Sequence, residues 1–267
     1  MSLLSVKNLD ISFITQDGIV KAVKLLNFEL EKGKILGIVG ESGSGKTQTG
    51  FAIMGLLDNN AQTSGEILFN GNNILNLSDK EMNRLRSNHI AMIFQDPMTA
   101  LNPYLTIGKQ LCEVLVYHKK MSKKQAYVKA VEMLDAVQIS YPEQRMKQYP
   151  HEFSGGMCQR VMIAMALLCE PDLLIADEPT TALDVTVQVQ ITDLLKRINH
   201  QFNMGILFIS HDLGLVASFC DDILVMKLGE KVEAGTRDEI FLNPKHPYTQ
   251  GLLDAIPKLP DGKYGDK

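Results

Sequence analysis

The chain has 267 residues, of which 45% are hydrophobic and 22% are charged, values that exclude a disordered or fibrous protein. The formal net charge is −4, whereas proteins that follow phosphate backbones carry a basic surplus, so we expect no nucleic-acid partner. The longest apolar run, residues 161–169, has nine residues, about half of a bilayer span. No signal-peptide pattern opens the chain, so we expect it to stay in the cytosol.

The first part of the chain predicts β structure. Apolar residues alternate loosely over 4–13 and strictly over 26–30, which is typical of antiparallel strands. The continuous apolar run 35–39 predicts a strand buried on both faces. A Gly-rich loop and a predicted helix over 46–57 follow it.

Further along, strands and helices alternate. Residues 66–69 predict a strand that turns at Asn70-Gly71, and Ser78 and Glu81 have the spacing of a helix capping box. A helical pattern occupies 106–150. The remaining predicted elements are strands over 90–94, 173–176, 206–209 and 223–226 and helices over 155–168 and 185–198. This order predicts a mostly parallel sheet covered by helices.

The loop after the apolar run 35–39 matches the pattern G-x-x-x-x-G-K-[ST]. Its eight residues are Gly40, Glu41, Ser42, Gly43, Ser44, Gly45, Lys46 and Thr47. Such a loop bends its backbone N–H groups around phosphates, its lysine reaches the outer phosphates, and its hydroxyl can bind Mg²⁺. The strand and helix around the loop are the context that this motif requires, so the sequence predicts a nucleoside triphosphate site.

Two acidic residues, Asp177 and Glu178, end the predicted strand 173–176. We expect Asp177 to lie near the Mg²⁺ that Thr47 binds, and Glu178 to face an attacking water. Alone this pattern is weak, because many strands end in acidic turns. Together with the phosphate loop it indicates phosphoryl chemistry.

Four further segments make the pattern more specific. They are Gln95 in IFQDP, the stretch FSGGMCQR at 153–160, the stretch ALD at 182–184, and His211 in ISHD. With the two motifs above, the chain resembles ATP-binding cassette (ABC) proteins along nearly its whole length. The resemblance implies an α/β P-loop cassette over 1–255 with a mostly parallel core sheet, an N-terminal antiparallel β part and an inserted helical subdomain at about 96–152. Residues 256–267 would form a C-terminal extension.

The resemblance also implies roles for the remaining motif residues. Ser154, followed by Gly155 and Gly156, would cap a helix whose N–H groups bind the γ-phosphate held by the other cassette of a dimer. Asp184 would lie at the seam of that dimer.

Hydrolysis would involve three further side chains. Glu178 would polarise the attacking water, His211 would contact the γ-phosphate and Glu178, and Gln95 would bind Mg²⁺ and the water. The cofactors implied are therefore ATP and Mg²⁺.

Two residues leave alternatives open. Phe13, 27 residues before Gly40, is the aromatic that we expect to stack on adenine, although its alternation with Val6 and Ile11 also fits a core residue. Cys158 stands in the FSGGMCQR stretch where the family commonly has a basic or polar residue. It would either weaken nucleotide-driven closure or turn toward the helix core.

Several stretches resemble the oligopeptide/dipeptide/nickel importer group. Within that group they are most similar to the oligopeptide D-type ATPase subunits. One of them is NPKHPYTQGLLDAIP, which contains the Pro247-Tyr248 pair typical of that group. Longer members continue into a Cys-rich iron–sulfur segment, and we claim no such cluster here. The chain would power oligopeptide import by ATP-driven cassette dimerisation.

The expected partners are a second, different ABC ATPase subunit, two membrane permease subunits and, indirectly, an extracytoplasmic solute-binding protein. The expected location is the cytoplasmic face of the inner membrane. Alternatives are import of a dipeptide, nickel or a metallophore, and a non-transport ABC ATPase that acts on a soluble partner.

Overall fold

The computed structural model describes residues 2–181 and 183–255, without the side chains of Pro97 and Met98. The predicted extension 256–267 lies outside the described residues. The strands are β1 Ser2–Thr15, β2 Gly18–Glu31, β3 Ile35–Val39, β4 Ala61–Phe69, β5 Asn72–Asn73, β6 Ile90–Ile93, β7 Leu173–Asp177, β8 Gly205–Ser210, β9 Asp222–Lys227 and β10 Glu230–Thr236.

The helices account for most of the remaining described chain. They are α1 Lys46–Met54, α2 Asp79–Arg86, α3 Pro97–Ala100, α4 Ile107–His118, α5 Lys123–Ala136, α6 Pro142–Arg145, α7 Gly155–Leu167, α8 Val185–Phe202, α9 Leu213–Phe219, α10 Arg237–Leu242 and α11 Pro247–Asp254. Among the described residues, no helix has both the length and the hydropathy that crossing a bilayer requires.

The chain divides into two compact units. The first unit comprises Met1–Asp79 and Gly205–Lys267, and the second comprises Lys80–Met204. The helical subdomain predicted at 96–152 falls within the second unit, and its bounds stay a prediction.

The first unit contains the antiparallel strands that the N-terminal alternation predicted. In one sheet, β1 pairs with β2 and with β4. In the other, β3 pairs in parallel with β8 and β9, and β9 pairs antiparallel with β10. Every residue of β3 is buried, as its continuous apolar run predicted. Helix α9 packs closely on β3, since a Cβ at Gly37 would lie 2.3 Å from Val216 Cγ1.

The second unit pairs β6 with β7 in parallel, in the register Ile90 to Leu173. Its helices α4, α5 and α6 lie within the stretch 106–150 for which the sequence predicted a helical pattern, and Leu111 and Leu115 of α4 and Leu134 of α5 are all fully buried. Ser122 and Gln125 form a capping box at the start of α5, a local signal that fixes where this helix begins.

Some boundaries differ from the prediction. Strand β4 begins at Ala61 rather than residue 66. Its first half is polar, largely exposed and paired with β1, so it lacks the apolar alternation that predicts a strand. Helix α1 ends at Met54 rather than residue 57, because Gly55 adopts the left-handed conformation that terminates helices. The short elements α9, β10, α10 and α11 were not predicted.

Candidate nucleotide site

The phosphate loop joins the buried strand β3 to helix α1 in the first unit. Lys46, the first residue of α1, is only 4% exposed. Its ammonium group donates hydrogen bonds to the carbonyl oxygens of Gly40 at 2.8 Å and Glu41 at 2.9 Å. The lysine therefore bridges back across its own loop, and this charge-assisted bridge fixes the curvature of the loop.

Neighbouring elements of the first unit brace the same loop from outside. A Cβ at Gly40 would lie 2.1 Å from the carbonyl oxygen of Met226, so only glycine fits there. The N–H of Gly229 donates to the Ser44 carbonyl at 3.1 Å. The N–H of Glu41 donates to the Tyr248 hydroxyl at 3.1 Å. Neither Gly229 nor Tyr248 was predicted to touch the loop, because both contacts join residues far apart in sequence.

The exposed part of the loop suits an anion. Glu41, Ser42 and Gly43 are exposed, and Gly45 has the left-handed φ of 98° immediately before α1 begins. The N-terminus of a helix presents unpaired N–H groups and a partial positive charge. The predicted loop residues thus come together in one turn whose geometry suits an anion, with Thr47 half-buried in the first turn of α1.

The acidic strand end lies in the second unit. All five residues of β7 are buried, including Asp177, which is 4% exposed. Glu178 follows with φ 45°, a conformation that costs non-glycine residues about 1–3 kcal/mol and occurs often at functional sites. The structure brings Gln95 and Glu178 together through a contact that the sequence did not predict, since Gln95 Nε2 donates to Glu178 Oε2 at 3.2 Å. The Thr181 hydroxyl also donates to Glu178 Oε2, at 2.8 Å.

Thr181 is a functional candidate that sequence reasoning missed. Its only signal was its position three residues after Glu178, and threonine at that spacing is also common in ordinary turns. With Gln95 it fixes one oxygen of the Glu178 carboxylate by two hydrogen bonds.

The FSGGMCQR stretch opens α7 in the second unit, as predicted. Ser154 is the N-cap, and its exposed side chain accepts a hydrogen bond from the N–H of Met157 at 3.4 Å. Gly155 is exposed and Gly156 half-buried. A Cβ at Gly156 would lie 2.9 Å from Val187 Cγ1 of α8, so this glycine also permits close packing between two helices.

Three predicted site residues remain to be described, namely Asp184, Phe13 and His211. Asp184 caps α8 by accepting from the N–H of Val187 at 3.0 Å, so it has a structural role beside the predicted one. In the first unit, Phe13 of β1 is half-buried, whereas Val6 and Ile11 of the same strand are in the core. His211 follows β8 and is exposed.

Cys158 turns toward the core, which is the second of the two interpretations weighed above. It is fully buried, and its thiol donates to the carbonyl of Pro150 at 3.5 Å. Burial raises the pKa of this thiol. Cys158 is therefore a packing residue in the second unit.

Comparison with known proteins agrees with this geometry. The family model "ABC transporter" matches residues 23–181, which is more than half of the chain. The chain belongs to the ABC transporter family. As a member, it is an ATP-binding and ATP-hydrolysing cassette. A second model, "Oligopeptide/dipeptide transporter, C-terminal region", matches residues 232–266.

Two curated relatives are similar over most of their length. The oligopeptide transport ATP-binding protein OppD of Salmonella typhimurium is 59% identical over 257 residues, which cover 96% of this chain and 77% of the relative. The dipeptide transport ATP-binding protein DppD of Bacillus subtilis is 55% identical, with 96% of this chain and 77% of the relative covered.

Solved structures confirm the predicted fold class. A dimeric post-hydrolysis state of the ATP-binding cassette MJ0796 bound to ADP and Pi matches with a TM-score of 0.78 at 28% identity, covering 88% of this chain and 98% of that chain. The cassette cbiO1 of Clostridium perfringens, part of the transporter complex cbiONQ, has a TM-score of 0.79 at 29% identity, covering 91% of each chain. The α/β P-loop cassette with antiparallel and mostly parallel sheets is therefore the fold of this chain.

Proposed function

We propose that this ABC ATPase powers the import of oligopeptides. The observation that carries the proposal is its 59% identity to an oligopeptide transport ATP-binding protein over 96% of the chain. The C-terminal match over 232–266 to a region found in oligopeptide and dipeptide transporters supports the same assignment. Cassettes do not contact the transported solute, so the exact solute is the least constrained part of the proposal.

ATP binding falls to the phosphate loop. The N–H groups of the exposed residues Ser42 and Gly43 and those of the first turn of α1 would hold the β- and γ-phosphates. Lys46 is already fixed by two carbonyl oxygens and would add a positive charge at the phosphates. Phe13, half-buried in β1, would stack on the adenine ring.

Mg²⁺ fits the donor set proposed for it. Thr47, Asp177 and Gln95 offer a hydroxyl, a carboxylate and an amide oxygen, the hard oxygen ligands that Mg²⁺ prefers. Asp177 lies buried at the end of β7. When bound, Mg²⁺ would neutralise part of the phosphate charge.

Hydrolysis falls to the Glu178 carboxylate. Gln95 and Thr181 both donate to its Oε2 atom, which leaves its position well defined. Glu178 would orient and deprotonate the attacking water as general base. His211 would contact the γ-phosphate and Glu178, while Gln95 would contact Mg²⁺ and the water.

A complete site would need a second cassette. Ser154 and Gly155 are exposed at the start of α7 and would bind the γ-phosphate held by a related but different ABC subunit, with Asp184 at the seam. ATP favours the closed pair because it binds that state with higher affinity. Closure would move two membrane permease subunits at the cytoplasmic face of the inner membrane, and an extracytoplasmic binding protein would deliver the solute.

Reconstitution tests the solute and the partners together. The chain would be combined in proteoliposomes with candidate permeases, a second cassette and a solute-binding protein, and ATPase activity would be measured with a pentapeptide, a dipeptide or Ni²⁺. We expect the loaded pentapeptide to stimulate ATPase activity most.

The dipeptide arm tests the second candidate, which the 55% identity to a dipeptide transport protein favours. Stimulation by the dipeptide or Ni²⁺ alone would assign a different solute. A chain that binds no permease and associates only with soluble proteins would contradict transport altogether.

A further inference from the structure

The C-terminal helix α11 contacts the phosphate loop directly. Tyr248 lies in the first turn of α11, and its hydroxyl accepts the hydrogen bond of the Glu41 N–H at 3.1 Å. The ammonium group of Lys227 lies 4.5 Å above the centre of the tyrosine ring, which fixes the ring from its face. All these residues belong to the first unit. A contact 207 positions apart in sequence thus joins the end of the described chain to the loop.

The start of α11 is itself fixed to β10. The carboxylate of Glu233 accepts hydrogen bonds from the N–H groups of Lys245 at 2.7 Å and His246 at 3.1 Å. His246 Nδ1 in turn accepts from the N–H of Tyr248 at 3.1 Å. Glu233 therefore determines where α11 begins, and so where the hydroxyl of Tyr248 lies.

The tyrosine is protonated at physiological pH. Partial burial is the main cause that raises the pKa of Tyr248 above its usual value; the hydrogen bond from the Glu41 N–H lowers this pKa, and the negative charge of Glu41 raises it. The neutral hydroxyl accepts the hydrogen bond of the Glu41 N–H.

We propose that Tyr248 is a positioning residue for the phosphate loop, holding Glu41 where its carbonyl oxygen can bind Lys46. The bond formed by Tyr248 and the bond formed by Lys46 meet at the same residue, since Lys46 Nζ donates to the Glu41 carbonyl at 2.9 Å. The inference rests on the proposed phosphate-binding role of the loop. It gives the C-terminal region a role in nucleotide affinity.

Tyr248→Phe tests the hydroxyl and keeps the ring under Lys227. One hydrogen bond is lost and water replaces part of it at the exposed Glu41, so we expect the Kd for ATP and for ADP to rise about two- to tenfold. The kcat at saturating ATP should stay within about twofold, and KM should follow Kd. Adenosine, measured by competition with a fluorescent ATP analogue, should bind unchanged because the loop contacts only phosphates.

Tyr117→Phe is the matched control. Tyr117 also has a lysine ammonium over its ring, that of Lys120 at 5.2 Å, and its side chain is exposed on α4 of the second unit. We expect Tyr117→Phe to leave all three affinities unchanged.

A second variant tests the same path from its other end. Glu233→Gln keeps one oxygen acceptor and loses the other, so the start of α11 should loosen and the Kd for ATP should rise severalfold. The double variant with Tyr248→Phe should show less than the sum of the two effects, because both act through one contact.

Three outcomes would overturn the inference. An unchanged ATP Kd in Tyr248→Phe would remove the positioning role, and an equal loss of adenosine affinity would indicate a general structural defect instead. Additive effects in the double variant would overturn the part of the inference in which Glu233 acts through the Tyr248 contact. Lys46→Ala in the same assay distinguishes failure of the inference from failure of the proposed function. If Lys46→Ala retains its ATP affinity, the phosphate-binding role of the loop is contradicted. If Lys46→Ala loses ATP affinity while Tyr248→Phe keeps it, only the inference about Tyr248 is contradicted.

Discussion

Lys46 and Glu178 each follow a fully buried strand, β3 and β7, but their surroundings differ. Lys46 is buried and held by carbonyl oxygens of its own loop, which is in turn braced by Met226, Gly229 and Tyr248. Glu178 is half-exposed, has a strained backbone, and is held through one oxygen by Gln95 and Thr181 side chains.

With the roles proposed above, this difference separates a residue that binds ATP from a residue that acts in catalysis. A loop whose backbone is fixed before the ligand arrives loses little entropy on binding. A half-exposed carboxylate has one oxygen fixed, which favours a single orientation for general-base chemistry. We therefore expect substitutions in the loop to change affinity and substitutions at Glu178 to change turnover.

Glu178→Gln should have the largest effect. The amide keeps the size of the side chain but cannot accept a proton, so kcat for ATP hydrolysis should fall by about 10²–10⁴-fold. The Kd for ATP should stay close to the wild-type value, and ATP-bound pairs of cassettes should accumulate. Steady-state phosphate release and size-exclusion chromatography with ATP measure both. Turnover near the wild-type rate would remove Glu178 from the reaction.

Lys46→Ala should act on affinity instead. It removes a charge and a donor from the phosphate loop, so ATP should bind about ten- to a hundredfold more weakly, the range for one charge-assisted hydrogen bond. Calorimetric titration with ATP measures the change. Lys46→Met, which keeps the buried stem, should show the same loss, and restored affinity in that variant would mean that packing rather than charge decides.

Gly40→Ala should test how tightly the loop is braced. The added Cβ would clash with the Met226 carbonyl at 2.1 Å, which should lower the free energy of unfolding by about 2–3 kcal/mol. Gly43→Ala is the matched control, because an added Cβ at Gly43 meets no atom within 4 Å. Its φ of 78° is unfavourable for alanine, so this variant should lose only about 1–2 kcal/mol of unfolding free energy. Urea unfolding compares the two. Equal losses would contradict the close packing at Gly40.

Ser154→Ala should have the smallest effect on stability, about 1 kcal/mol for a lost helix cap. It should also weaken ATP-dependent association with the second cassette. Thr106→Ala is the control, because Thr106 caps α4 through a bond of the same length, 3.4 Å. It should cost similar stability and leave association unchanged. Equal association of both variants would assign Ser154 to capping alone.

Local sequence predicted the consecutive parts of the site well. The apolar runs at β3 and β7 predicted buried strands, and the motifs after them placed Lys46, Asp177 and Glu178. Gln95 and Glu178 were both predicted as site residues from the family resemblance, but the hydrogen bond that joins them was not predicted.

Contacts between distant segments could not be predicted in the same way. No periodicity in the sequence indicates that Tyr248 reaches Glu41 or that Gly229 reaches Ser44. The polar half of β4 was missed because its pairing with β1, rather than an apolar pattern, determines it. The short α10 and α11 were missed although local signals mark their starts, a Thr236–Glu239 capping box and a proline in the first turn.

A quenched single-turnover reaction with radiolabelled ATP tests the separation of binding from catalysis most directly. The wild-type chain, Lys46→Ala and Glu178→Gln would be mixed with the second cassette, and the bound nucleotide would be identified over time. We predict that the wild type converts bound ATP to ADP, that Glu178→Gln retains uncleaved ATP, and that Lys46→Ala retains little nucleotide of either kind. If both variants lose ATP, or if both retain it uncleaved, the separation of binding from catalysis is contradicted.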